Sequence, residues 1–398
     1  MHTNIRPEFF GPRDNFPLST SDWTRICELC DTVSAVRCGR ADYLRAHGLD
    51  ARLHLPGHMW ADDFVAKNFR KIARKDFHQI SHLRFLTYNF TGFHLQTMAP
   101  AEGIPDTTEV PANIDAVVRA AVKKASEAAV VFVRDNQHMP RERIVDTPRL
   151  FGESGWDVDG TIANFDSWST QQRLNGLHWS GVLDLLQQRV RERGFARIVE
   201  IGAGYGNLAH ALRRIGGPVD YTIVDLPESM IYSTIWLSTV SPGARCTIAA
   251  AGQPLAAPSP GITFVPNHML GEFLPQLGEV DLVVNMMSLS EMSPDQVAHY
   301  GRAAAQLIGS HGVFYEQNYL EPGVQTDILP ILGRVFGYGA WLDETQSPHR
   351  GRGNVRMWAN AYRGELWNRG GLRPLATRQA PAVLTPEPAC LREPVPVG

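Results

Sequence analysis

From residue 173 onward, apolar positions fall into two alternating periods. The window 173–193 carries Leu174, Leu177, Val182, Leu185, Leu186 and Val190 at three- and four-residue spacing, which predicts an amphipathic helix. Short runs dominated by apolar residues follow at 196–201, 219–225, 261–266, 279–286 and 311–317, separated by helix-length segments at 206–215, 227–239 and 293–308. Strands without a polar face must be covered on both sides, so the alternation predicts an α/β fold around a parallel sheet. The helix at 293 is well signalled: Ser293 as N-cap, Pro294 at the first position and Asp295 in the first turn. Past Pro322 a further helix is expected, and 354–362 alternates like a late, partly exposed strand.

The first 150 residues read as mostly helical, with breaks at prolines. The segment 61–85 places Phe69, Ile72, Ala73, Phe77 and Ile80 on one face, with Lys67, Arg70, Lys71, Arg74 and Lys75 largely opposite as a solvated face. A second helix opens at Asn113-Ile114-Asp115 and keeps helical spacing to about Arg134. Between 148 and 173 the chain turns irregular, and its tryptophans, glycines and acids suit either a functional loop or a linker plugged by tryptophans. The expected organisation is a largely helical N-terminal domain (1–147), an irregular connecting loop lining the site (148–172), an α/β domain (173–380) and a Pro-rich tail (381–398).

Composition narrows the partners. A net charge of −3 over 398 residues gives no argument for nucleic acid, and no run of 18 apolar residues argues for a membrane span. The opening residues lack the apolar run of an export signal, so the cytoplasm is the expected compartment. Five cysteines are an odd number for a disulfide framework. Cys27, Cys30 and nearby Cys38 could supply three zinc ligands, but a fourth, such as His47 or His54, would sit at unusual spacing, so no metal is assigned.

The chemistry concentrates in 198–228, which reads as strand, glycine turn, helix and second strand. The turn is Glu200-x-Gly202-x-Gly204-x-Gly206, and Asp225 closes the second strand. A dinucleotide turn spaces its glycines G-x-G-x-x-G and seats a pyrophosphate on the helix N-terminus. Here the glycines fall at every second position behind an acid, an arrangement suited to a ligand without phosphate whose ammonium group an acid can meet. A carboxylate in the place of Asp225 can accept both ribose hydroxyls of an adenosine. A cationic, phosphate-free adenosine bearing an amino acid is S-adenosyl-L-methionine.

The same residues carry a resemblance. Glu-Ile-Gly-Ala-Gly-Tyr-Gly followed by Tyr-Thr-Ile-Val-Asp-Leu-Pro-Glu resembles the class I S-adenosylmethionine-dependent methyltransferases. More narrowly it is similar to the bacterial sugar O-methyltransferase family, on Gly152-Glu153-Ser154-Gly155, on Asn164, Asp166, Gln171 and Gln172, and on the run from Asn285 to Met292. The resemblance covers roughly residues 148–320. It implies a doubly wound, mostly parallel, seven-stranded Rossmann-like methyltransferase sheet; the largely helical N-terminal domain (1–147) lies outside it and is expected to serve as substrate lid or homodimer interface. It further implies that Glu200, Gly202, Gly204 and Gly206 line the methionine part, that Asp225 and Leu226 hold the ribose, that His268 and Met269 meet the adenine, and that Asn285 belongs to the cofactor set.

Methyl transfer to an alcohol needs alignment and a base for the departing proton. Glu291 is the expected base and Glu316 the second candidate, with His94, His178 and His268 behind them. The expected activity is methylation of a hydroxyl on a small molecule, a sugar or other hydroxylated natural product. Nitrogen or carbon acceptors, or a non-methylating protein that binds the same cofactor, remain the alternatives.

Overall fold

The computed structural model describes residues 8–57, 63–91, 109–122, 127–158, 160–318, 325–342, 354–368 and 372–375. A three-stranded antiparallel sheet joins β1 (Glu8–Phe10), β2 (Gly155–Val158) and β3 (Thr161–Ala163). The main sheet has nine strands: β4 (Ala196–Ile201), β5 (Val219–Asp225), β6 (Cys246–Ile248), β7 (Gly261–Pro266), β8 (Leu282–Met286), β9 (Val313–Asn318), β10 (Tyr338–Leu342), β11 (Asn354–Ala359) and β12 (Leu372–Pro374). Their order is β12-β10-β11-β9-β8-β4-β5-β7-β6. The six strands from β6 to β9 are parallel, and β11, β10 and β12 add on antiparallel. This is the covered parallel sheet expected from the alternation, in the doubly wound, Rossmann-like form that the resemblance implied. Nine strands stand where the resemblance implied seven; β6, β10 and β12 fall outside the runs read from the sequence, and the edge strands β6 and β12 have three residues each, too few to show a period.

Other expected boundaries shift for identifiable reasons. The helix expected at 173–193 is two helices, Phe165–Trp179 and Val182–Arg193, parted where Gly181 takes φ 81°. The first starts inside the segment expected to be irregular. Asn164 caps it by accepting from the backbone N–H of Asp166 and Ser167, while Ser167 Oγ accepts from the Asn164 N–H. Residues 61–85 divide into Asp63–Ala73, Phe77–Ser81 and a third helix from Leu83, since Lys75 adopts φ 60° and Asp76 caps anew. The 113–134 segment appears as Ile114–Val122 and Glu127–Asn136. Beyond Pro322 the helix is a single turn, Leu329–Leu332. A helix that its internal Pro275 concealed runs Leu270–Leu277. The tail 381–398 and His94 lie outside the described residues.

Two apolar clusters sandwich the main sheet. One includes Val199, Val224, Val283 and Phe314 with Val297, Ala304 and Leu307 of the Pro294–Ile308 helix. The other takes Ile198, Tyr221, Ile223 and Tyr315 together with Met230, Trp236 and Leu237 of the Pro227–Val240 helix, and Ile26, Cys30 and Val33 of the Thr20–Ala46 helix. The N-terminal helix therefore shares the sheet's own core. Buried Cys30 has its thiol pushed up to about 12, chiefly by burial. Among the described residues no three His, Cys, Asp or Glu side chains gather as a metal site, and no helix is long and apolar enough to cross a membrane.

Candidate cofactor site

The carboxyl ends of β4, β5, β7 and β8 meet at the glycine turn. Gly202, Gly204 and Gly206 take φ of 74°, 59° and 94°, the left-handed region that side chains disfavour. A Cβ on Gly202 would collide with Ser288, and one on Gly206 would come within 2.7 Å of Leu237 Cδ1. The turn is thus fixed twice, by backbone conformation and by packing. The Asn207–Ile215 helix leaves from it.

Asp225 ends β5 against this turn. Its Oδ1 accepts from the Leu226 N–H at 2.7 Å, while its buried Oδ2 has no hydrogen-bond partner among the described residues. Burial pushes its carboxyl up to about 7, against the pull of the Leu226, Gly204 and Ala203 amides. Glu200, on β4, is likewise buried and pushed up to about 7 by desolvation; its Oε2 accepts from the Tyr221 hydroxyl at 2.8 Å. An orphaned buried carboxylate oxygen beside a turn cleared of side chains suits a hydroxyl donor, which is what a ribose offers.

His268 and Met269 sit in the turn Asn267–Met269 that follows β7. His268 is fully buried, and neither ring nitrogen has a partner among the described residues. Burial, then Arg40 and His54, lower its pKa to about 4, so the imidazole is neutral, with one donor and one acceptor nitrogen unspent. The Thr20–Ala46 helix closes this side: Tyr43 meets the His268 ring edge-on, and Arg40 grips the buried carboxylate of Glu228 through two hydrogen bonds of 2.9 and 2.8 Å. Arg37 adds a third at 2.9 Å.

Asn285 is brought to the site but its side chain is spent. Its Nδ2 donates to the Ile201 carbonyl at 2.7 Å and to Ser288 Oγ at 2.6 Å, and its Oδ1 accepts from Leu289 N and Asn318 Nδ2. It ties the exit of β4 to the loop after β8, so a direct cofactor contact through this amide is replaced by a positioning role. Glu316 is corrected more sharply. It faces Arg356 across the β9–β11 ladder, accepts from Arg356 Nε and Nη2, and takes further hydrogen bonds from Trp358 Nε1 and Asn318 Nδ2. A fully buried carboxylate with four donors has no lone pair left to act as a base. Glu291 ends the Leu289–Glu291 turn, half-buried. The following helix is capped reciprocally by Ser293 and Gln296, so Glu291 is not its cap. His178 hydrogen-bonds Arg143.

Arg84 escaped the sequence reading. It is 1% exposed, donates to Glu153 at 2.6 Å, to Asp166 at 2.6 Å and to Thr87 Oγ1 at 2.9 Å, and lies over the Tyr205 ring at 4.0 Å. Asn164 donates to the other Glu153 oxygen at 2.7 Å. The Gly-Glu-x-Gly and Asn-x-Asp segments are thus joined behind the tyrosine of the glycine turn. The available signal was a lone cation inside the apolar run Leu83-Arg84-Phe85-Leu86, whose apolar members are all buried.

No protein-family model matches this chain, and no curated protein matches it either. Among solved structures it is similar to an arsenic(III) S-adenosylmethionine methyltransferase from Chlamydomonas reinhardtii, at 17% identity and TM-score 0.28 over 41% of this chain and 61% of that one. It is also similar to DesVI from Streptomyces venezuelae, at 14% identity and TM-score 0.25 over 42% and 56%. A third similarity, 14% identical with TM-score 0.29 over 50% and 96%, is to a complex of the Haloferax volcanii Trm112 methyltransferase activator with its methyltransferase. The chain spans about three fifths or less of the length of the first two. At these scores the likenesses carry no inference about what this chain does.

Proposed function

We propose that the chain binds S-adenosyl-L-methionine and methylates a hydroxyl of a small molecule, a sugar or other hydroxylated natural product. The observation that carries the reading is Asp225: a buried carboxylate with one oxygen unspent, set against three left-handed glycines. When bound, the cofactor supplies an activated methyl group, which leaves the protein to align, desolvate and deprotonate. Asp225 would hold the ribose hydroxyls, Glu200 would meet the ammonium end, and His268 and Met269 would meet the adenine, His268 through its unspent nitrogens. Glu291 takes the acceptor's proton, and the acceptor lies against the described helices of the N-terminal part.

The test is a thermal shift with S-adenosylhomocysteine, which should raise the Tm of the wild type and leave Gly204→Val unmoved. Glu291→Gln should keep the shift and lose turnover, read by mass spectrometry as the absence of a ~14 Da gain on the acceptor. A wild type whose Tm ignores S-adenosylhomocysteine would falsify the cofactor reading.

A further inference from the structure

Arg173 lies on the Phe165–Trp179 helix, half-buried, and among the described residues it makes no hydrogen bond and no ion pair. A guanidinium holds its charge at any working pH and is ordinarily met by a carboxylate or phosphate when drawn out of water. The same helix shows how a buried arginine near the site is treated: Arg84 has two carboxylates, one of them Asp166 from this very helix. Arg173 touches no carboxylate at ion-pair distance among the described residues.

Its neighbours on the helix fix where it lies. Thr170, three residues before, accepts from Asn207 Nδ2 at 2.8 Å, and Asn207 is the first residue after the glycine turn. Gly176, three residues on, packs so closely on Tyr315 of β9 that a Cβ there would collide with the phenol hydroxyl. Residues spaced by three share a side of a helix. Arg173 is therefore held between the glycine turn and Tyr315 in the middle of β9, on the side of the sheet that Glu200 faces. Burial raises Glu200, and Tyr221 and then Arg173 pull it back, which places the guanidinium within electrostatic reach of that carboxyl.

The site thus presents two opposite charges beside one turn, Glu200 and Arg173. The amino-acid end of the proposed cofactor carries the matching pair, an ammonium and a carboxylate. The geometry points to Arg173 as the residue that receives the α-carboxylate of that end, an assignment that rests on the cofactor reading above. The pairing is of the charge-assisted, two-pronged kind that guanidinium makes with carboxylate.

Two ligands separate this role from its rivals: S-adenosylhomocysteine, which has the carboxylate, and 5′-methylthioadenosine, which has the same nucleoside without it. By calorimetry, Arg173→Met should weaken S-adenosylhomocysteine roughly 10- to 100-fold and change 5′-methylthioadenosine by less than about 2-fold, with Arg173→Lys between. Equal loss for both ligands, or no loss for either, overturns the assignment. An unchanged S-adenosylhomocysteine affinity with a raised KM for the acceptor also overturns it, moving Arg173 to an anionic group on the acceptor. If wild-type protein binds neither ligand, the cofactor reading itself fails, a result distinct from all of these.

Discussion

Two buried polar clusters flank the glycine turn, and they differ in how completely their atoms are paired. Around Arg84, the guanidinium meets Glu153, Asp166 and Thr87, and Asn164 takes up a further Glu153 oxygen. Around Asp225 and His268, a carboxylate oxygen and two ring nitrogens have no partner among the described residues. Both clusters are equally hidden from water, so burial alone does not separate scaffold from site. Pairing does. A saturated network holds elements in place, whereas unspent donors and acceptors in a desolvated position are costly unless a ligand takes them up.

Mutations should break this contrast in different ways. The largest effect is expected at Arg84→Met, which strands two buried carboxylates: a loss of about 3–5 kcal/mol, read by denaturant unfolding, with S-adenosylhomocysteine unable to restore wild-type stability. Asp225→Asn should do the reverse. It should cost S-adenosylhomocysteine affinity by roughly 10-fold or more, in calorimetry, while the ligand-free protein unfolds no more easily than wild type.

The pH dependence sharpens the same point. Asp225 and Glu200 are both raised to about 7 in the folded protein, so between their ordinary range and that value the folded state holds more protons than the unfolded. Their contribution to stability is fully present at low pH and is lost as pH rises toward 7. Asp225→Asn should flatten that decline, and ligand binding to Asp225 as an acceptor should strengthen over the same window. A wild-type slope identical to the mutant's would remove Asp225 from the account. The smallest effect belongs to His268→Phe, expected to weaken S-adenosylhomocysteine a few-fold with stability held or improved, since an unpaired buried imidazole gives way to a ring that asks for no partner.

Much of this was legible from the chain alone, where signals are local. The strands β4, β5, β7, β8 and β9 announced themselves as largely apolar runs, and the turn from Glu200 to Gly206 with Asp225 beyond it marked where the buried, incompletely paired carboxylate stands. What escaped was set by long-range pairing. Glu316 looked like a free acid at a strand end until β11 laid Arg356 opposite it. Arg84 belongs to no motif, and its partners lie 69 and 82 residues away. Arg173 has no distinguishing signal along the chain, because a missing partner leaves no trace in sequence. The helix start at Phe165 was hidden for a different reason: Asn164 and Ser167 form a cap whose third-position residue is serine instead of the usual glutamate or glutamine.

The joint between the Thr20–Ala46 and Pro227–Val240 helices also has a consequence for synthesis. Arg40 and its partner Glu228 are 188 residues apart. At roughly 5–20 residues per second, the face bearing Ile26, Cys30 and Val33 leaves the ribosome about 10–40 s before the helix it will cover exists. During that interval Phe69 and Ile72, which end in the same cluster, are the apolar residues soonest available to shield it. Translation speed between these two helices is therefore a variable on which the yield of folded protein should depend.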